Sequence, residues 1–482
     1  MHQRLILSWS LSLLLALTPV RGFGQDMGSG SLPEMGDSSE QVLSPALEKS
    51  LGRAFLQNLR RSGSLIEDPE IETYIEALGQ RVLSSFDTAG RDFKFLVVRS
   101  SAINAFAAPG GIVGINSGLI QLTESESELA AVLAHEIAHV TQRHIARAYE
   151  AASRMSLPVA AAMMAAVILG GGNSQISEAA ITTAVAGSRQ MQINFTRSNE
   201  READSIGMQY LAGAGFDPHS MPSFFEKLQK SVANYGGEVM DFLSTHPVNT
   251  ARIADSRNRA IEHQYQPSES AIDYYLIKSR LLVLASNDLS ATVNRLQIQI
   301  ENQRYSNAQA SRYALALAQT KNGASKAAQK LLQELLKKDS EQPAYLLAIA
   351  DLAMRDGDTK AAVSYLDSGL ALYPGHLALE LAYADALLRL DQPAKARLKL
   401  LTLNRKYPEN TDVIQELSRA TTLAGFSSEG RYYLARYYLM TGNAAAAREQ
   451  VQLALKDKST SAYQRERLKD LDAQLTAATK KP

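Results

Sequence analysis

Gly323, Gly357 and Asp391 recur at one fixed step, and that step limits the fold of this chain of 482 residues more than any other feature. Ala328, Ala362 and Ala396 keep the step, and so do Pro374 and Pro408. A period of about 34 residues holds two helices: glycine supplies the tight turn, alanine permits a close helix crossing, and proline marks the boundary. One unit cannot bury its apolar face alone, so units stack into a curved superhelix whose concave face binds protein segments. Gly442 and Ala447 restore the five-residue offset of Gly323 and Ala328, but half a step out of phase. Half a unit, about one extra helix, must lie between. The chain from 271 to 482 is therefore expected to be an all-α solenoid, clearest from about Ser311 to Pro408.

A second motif carries chemistry. His135-Glu136-Ile137-Ala138-His139 lies in a run of strong helix formers free of Gly and Pro, predicted helical from about Glu126 to Ala151. Residues four apart share a helix face, so His135 and His139 can present two imidazoles to one metal ion. Glu136 can then reach a water on that metal and take its proton as it attacks a carbonyl, the arrangement of zinc hydrolases. The apolar neighbours imply a buried helix, where two histidines and a carboxylate would be costly without a ligand.

A catalytic zinc takes three protein ligands. A histidine ten residues past His135, with Gly between, would be one solution, but position 145 is Ile and position 142 is Gln. His144 is one residue out of register on a continuous helix and reads as solvated or structural. The better candidate is in Asn199-Glu200-Arg201-Glu202-Ala203-Asp204. Glu200 and Asp204 share a face, while Glu202 points away. Glu200 can complete the set, and Asp204 can accept the far N–H of a ligand histidine and fix its tautomer. His246, before Pro247, is open to three readings: a packed turn histidine, a donor to the oxyanion, or a fourth ligand that silences the resting enzyme. Arg252 can anchor that loop by pairing with an acid.

The remaining segments set the context. Residues 1–24, with Arg4, the apolar stretch Leu5 to Pro19 and Gly22-Phe23-Gly24, read as a cleaved secretory signal. The apolar stretch is short of the ~20 residues that span a bilayer. Residues 25–43 are a Gly/Ser/Asp-rich leader. The chain has no cysteine, which excludes disulfides and lipidation at cysteine. A secreted chain held by burial and metal alone suits a bacterial periplasm. Lys+Arg and Asp+Glu balance at 50 each, which gives no sign of a nucleic-acid partner. Leu47, Leu51, Phe55 and Leu59, then Ile71, Tyr74, Ile75, Leu78 and Val82, predict two amphipathic helices. Phe93 to Val98 is a short strand. The turn Pro109-Gly110-Gly111 predicts a hairpin whose first arm, Asn104-Ala105-Phe106, is either plain core or an edge strand that pairs with an extended substrate. Leu157 to Leu169 is apolar but too short to cross a bilayer; it reads as a buried or interface helix, or else as a lid or a membrane-facing helix with at most peripheral membrane contact.

In order along the chain, Leu133-Ala134-His135-Glu136-Ile137-Ala138-His139-Val140, Arg197-Ser198-Asn199-Glu200-Arg201-Glu202-Ala203-Asp204, Ala214-Gly215-Phe216-Asp217-Pro218 and Thr245-His246-Pro247 with Arg252-Ile253 resemble the successive motifs of M48 peptidases. The repeating unit resembles tetratricopeptide repeats. The resemblance implies a mainly α protein. An α+β zincin-type metalloprotease domain with a small sheet, residues 44–264, precedes an all-α repeat solenoid, residues 271–482. It implies one Zn²⁺ on His135, His139 and Glu200, with Glu136 as general base. It also implies a periplasmic endopeptidase for misfolded or stalled outer-membrane proteins that assists their assembly, docked by its repeats onto the outer-membrane assembly machinery. The competing reading is a chaperone or scaffold for envelope proteins whose metal site is structural. An intact Glu136 argues against it, since a structural site has no need of that residue. A hydrolase of small molecules is disfavoured by the repeats, which bind peptides.

Overall fold

In the computed structural model, residues 43–86, 91–153, 186–235, 240–265 and 269–480 are described. The segment read as a signal, all of the leader but Leu43, the apolar stretch 157–169 and residues 266–268 between the two halves lie outside them. Two capped helices open the chain. In α1 (Pro45–Arg61) Ser44 accepts from the Leu47 N–H, and in α2 (Pro69–Leu83) Asp68 accepts from Glu70 and Ile71. Each has proline in its first turn, where a missing N–H costs nothing. In the α2 stripe Ile71, Ile75, Leu78 and Val82 are buried and Tyr74 half-buried, but in α1 Phe55 is buried and Leu47 is 43% exposed.

Strands β1 (Lys94–Val98), β2 (Ala105–Ala108) and β3 (Ile112–Asn116) form one sheet in the order β1-β3-β2. The β2–β3 hairpin is antiparallel, with Ala108 opposite Ile112. Gly110 and Gly111 turn it with φ of 80° and 74°. A Cβ on Gly111 would stand 1.9 Å from the Asp92 carbonyl oxygen, so this turn admits only glycine. The β1–β3 pair is parallel, which leaves β2 at an edge. Helix α3 (Ser117–Leu122) then leads to α4 (Glu126–Thr141), which is apolar almost all round and buried throughout its middle, as a core helix must be.

The predicted single helix to Ala151 is in fact two. It breaks at Arg143, whose φ is 53°, and resumes as α5 (His144–Ser153). Helix α6 (Ala186–Gly213) crosses α4 closely: a Cβ on Gly207 would lie 3.0 Å from the Ala134 carbonyl oxygen. Helices α7 (Ser220–Tyr235), α8 (Met240–Thr245) and α9 (Thr250–Ile261) close the first half.

Twelve further helices follow among the described residues: α10 (Ile272–Leu284), α11 (Leu289–Glu301), α12 (Ala308–Lys321), α13 (Ser325–Lys338), α14 (Pro343–Arg355), α15 (Thr359–Leu372), α16 (Leu377–Arg389), α17 (Pro393–Lys406), α18 (Thr411–Leu423), α19 (Ser427–Met440), α20 (Ala444–Lys456) and α21 (Ala462–Lys480). The architecture is an α+β domain followed by an all-α solenoid. Gly323, Gly357 and Asp391 sit in left-handed turns within helix pairs, and Ala328, Ala362 and Ala396 are fully buried at the crossings. The period runs one step further than the sequence pattern predicted. Gly425, with φ of 89°, falls one full step past Asp391. Gly430 falls one step past Ala396 and lies against Ser418 and Thr422. Three helices, α17 to α19, separate the turns at Asp391 and Gly442, which accounts for the phase shift.

The inner face of the solenoid is not free. Helix α2 packs against α10 and α16, the first helices of their pairs. Arg280 Nε donates to both oxygens of Asp68, at 2.8 and 2.9 Å, and Arg280 pairs with Glu70. Asn410 Nδ2 donates to Glu72 Oε2 at 3.0 Å, Thr411 Oγ1 to Glu67 Oε1 at 3.0 Å, and Gln57 Nε2 to the Leu439 carbonyl at 2.9 Å. The concave face that the sequence reading assigned to partners thus holds part of the chain's own first half. Burial, with Asp412 and Glu67 nearby, pushes Glu72 up to about 8. A folded-state pKa above the unfolded one means that the native state binds more protons between about 4.5 and 8, so stability falls as pH rises through that window. Glu72→Gln removes that penalty. Its stabilisation by urea denaturation should be larger at pH 8 than at pH 5; a pH-independent effect would contradict this.

Candidate metal centre

Four side chains that could hold a metal ion meet where α4, α6 and the segment after α8 converge. His135 and His139 come from one face of α4, Glu200 from α6, and His246 from the residue after α8. Their donor atoms all lie within 4.8 Å of one another, and all four residues are buried. The Nε2 atoms of His135 and His139 are 3.1 Å apart, and His246 Nδ1 is 3.3 Å from His135 Nε2. Glu200 Oε1 lies 3.0 Å from His246 Nδ1 and 3.4 Å from His139 Nε2, and Oε2 lies 3.5 Å from His135 Nε2.

These spacings test the fit of a metal. Tetrahedral zinc with bonds of about 2.0–2.1 Å to nitrogen and oxygen sets its ligands about 3.3–3.4 Å apart. The pairs at 3.0–3.5 Å, taken over both carboxylate oxygens, come close to that spacing, and one donor atom from each of the four residues lies within 4.8 Å of the others. The electrostatics agree. Glu136, Glu200 and Asp204 are buried together with one guanidinium, Arg252. Burial lowers the His135 pKa, but Asp204 and Glu200 outweigh it and push this imidazole up to about 10. Without a metal the excess negative charge thus recruits a proton. His139 goes the other way, down to about 3, through burial and the nearby His135. Burial raises Glu200, but His246, His135 and His139 overcome it and hold the carboxyl well below its usual range.

The supporting residues are equally placed. Asp204 Oδ1 lies 3.1 Å from His135 Nδ1, the nitrogen turned away from the cluster. Arg252 donates to Asp204 from Nε at 2.8 Å and from Nη2 at 2.7 Å, and to the Pro247 carbonyl from Nη1 at 2.8 Å. Its Nη1 also stands 2.9 Å from Glu200 Oε2. One guanidinium therefore ties α6 to the backbone beside His246.

Glu136 is fully buried, and among the described residues neither carboxylate oxygen makes a hydrogen bond to a side chain. Burial raises its pKa, with His246 and His135 opposing; His246 Nε2 is 3.5 Å from Oε1. The Ala107 backbone of β2 faces the same carboxylate and also opposes the rise. Ala105 and Phe106 lie on this strand, and Phe106 packs edge-on against Phe55, with centroids 5.6 Å apart. Asn104 precedes it and accepts from the Asn116 N–H at 2.9 Å. Among the described residues no strand pairs with the outer edge of β2.

His144, read from the sequence as solvated or structural, is 4% exposed. Its Nδ1 is 2.8 Å from His139 Nδ1, and its Nε2 is 3.2 Å from Glu202 Oε2, which Arg147 holds at 2.8 Å. Glu202 does point away from the metal cluster, but to this purpose. The sequence signal was the polar run Thr141-Gln142-Arg143 that ends the apolar face; with no Gly or Pro in it, it did not read as a helix stop.

The comparisons agree with this geometry. Residues 69–260 match the family model "Peptidase family M48", and residues 353–420 match a tetratricopeptide repeat model. The chain is 35% identical over 382 residues to the "Beta-barrel assembly-enhancing protease" of Escherichia coli (strain K12), covering 79% of this chain and 78% of that one. It is 37% identical over 404 residues to the "Putative beta-barrel assembly-enhancing protease" of Vibrio cholerae, covering 83% and 82%. The "Beta-barrel assembly-enhancing protease" of Yersinia pestis is 32% identical over 87% of each chain. With a buried cluster able to hold a metal, a peptidase model over its first half and relatives matched across both halves, the chain belongs to peptidase family M48 and carries tetratricopeptide repeats.

Proposed function

We propose that this chain is a periplasmic zinc endopeptidase that cuts misfolded or stalled outer-membrane proteins and assists their assembly, with His135, His139 and Glu200 as zinc ligands. The observation that carries the reading is a fully buried Glu136, hydrogen-bonded to no side chain among the described residues, set beside four converging side chains that could hold a metal ion. Zinc, when bound there, supplies Lewis acidity that polarises a carbonyl and acidifies water. Glu136 takes the proton of the attacking water and delivers it to the leaving amine; its raised pKa suits both steps. Asp204 holds His135 in the tautomer that frees Nε2, and Arg252 holds Asp204 and the His246 loop. The outer edge of β2 offers backbone groups to an extended substrate, beside Glu136.

The relatives' names support the envelope role. Among the described residues no helix is long and apolar enough to cross a membrane. Docking of the repeats onto the outer-membrane assembly machinery belongs to the same proposal. Since α2 fills part of the inner face, that docking uses the rest of the solenoid surface.

Metal analysis tests the ligand set. The protein should hold about one zinc per chain, and Glu200→Ala should lose it; full retention would remove Glu200 from the set. His246 is assigned as the resting fourth ligand, because its Nδ1 stands among the other donors at 3.0 and 3.3 Å. His246→Ala should therefore raise basal casein cleavage or self-cleavage. An oxyanion donor would instead show turnover lowered by about 10²–10³, and no change would leave His246 as a packed turn residue.

A further inference from the structure

We infer that His144 and Glu202 form a relay that fixes the tautomer of His139 and so aims its Nε2 lone pair into the metal cluster; this rests on the reading of His139 as a ligand. On a continuous helix His144 would project about 140° away from His139, since five residues turn about 500°. The left-handed Arg143 ends α4, and His144 folds back under its last turn. The two rings meet edge-on with centroids 4.7 Å apart.

Two imidazole nitrogens at 2.8 Å share one proton: with none the lone pairs repel, and with two the hydrogens collide. A neutral His139 that ligates through Nε2 carries its hydrogen on Nδ1, so His139 donates and His144 Nδ1 accepts. A neutral His144 then carries its hydrogen on Nε2, which faces the Glu202 carboxylate at 3.2 Å. Every donor meets an acceptor along the chain from His139 to Glu202, and Arg147 closes it at 2.8 Å. The reverse arrangement fails at both ends. If neutral His144 donated from Nδ1, its Nε2 lone pair would face a carboxylate, and His139 would turn an N–H toward the other ligands. His144 and Glu202 are therefore positioning residues for His139, as Asp204 is for His135.

The test is zinc affinity of the full-length protein by chelator competition, with folding of the metal-free forms compared by circular dichroism. His144→Leu should bind zinc about 10- to 100-fold more weakly. His144→Asn, whose Oδ1 replaces the accepting Nδ1, should recover most of that loss. A packing role predicts the opposite order, because Leu fills the buried site better than Asn. Wild-type affinity in His144→Leu, or no recovery in His144→Asn, would overturn the relay while depleted zinc in His139→Ala keeps the ligand reading intact. Unchanged zinc in His139→Ala would overturn both. Should His144→Leu fail to fold, ¹H–¹⁵N imidazole correlations of the zinc-loaded wild type decide: the relay requires the proton of His139 on Nδ1 and that of His144 on Nε2.

Discussion

Glu136→Gln should keep its zinc and lose roughly two orders of magnitude or more in casein hydrolysis, the scale of a lost general base. The substitution preserves size and removes the ability to take a proton. Among the described residues its oxygens have no side-chain hydrogen bond to lose, and an amide oxygen can still accept from the Ala107 backbone, so the fold should be undisturbed. Stability should even rise slightly, because a buried carboxyl whose pKa is raised costs the native state above its unfolded pKa, and an amide does not. Metal analysis and digestion on one preparation separate the outcomes. Wild-type rates would mean that another residue activates the water. Loss of zinc together with activity would mean that Glu136 helps to build the site.

Arg252→Leu should be the most destabilising single change near the site, by about 3–5 kcal/mol, the usual cost of stranding buried charges. Arg252 is 4% exposed, and its guanidinium faces both Asp204 and Glu200. Without it, Asp204 and Glu200 lose their guanidinium and keep only imidazole partners, and the Pro247 carbonyl loses a donor. The measurement is the urea midpoint of the metal-free protein. Arg257, which pairs with Glu226 at an exposed site, is the control: Arg257→Ala should cost less than about 1 kcal/mol. Equal effects at the two positions would show that burial adds nothing to the Arg252 pairs. Added zinc should restore part of the loss in Arg252→Leu, because a cation returns to Glu200.

What the sequence could specify was local. His135 and His139 are four residues apart, Glu200 and Asp204 likewise, and a helix of 3.6 residues per turn places each pair on one face whatever surrounds it. The repeat step is local in the same way, because each unit renews the same turn and crossing, and the buried alanines at 328, 362 and 396 follow directly. The hairpin at Gly110-Gly111 needed only a turn that admits no side chain.

Tertiary structure decided what those local signals left open. His246 is far along the chain from His135, and the sequence allowed it three roles; packing of the segment after α8 sets its Nδ1 among the donors. His144 looked out of register because helical periodicity assumes an unbroken helix; one left-handed residue at Arg143 turns it against His139, which removes the solvated reading and leaves the structural one. The solenoid's inner face looked free because periodicity shows which faces a helix has, not what lies against them. Arg280 on Asp68 and Asn410 on Glu72 settle that, through pairs drawn from opposite halves of the chain. Periodicity encodes the geometry of one element, while the partners of each face are fixed only when distant elements compete to bury the same surface and satisfy the same charges.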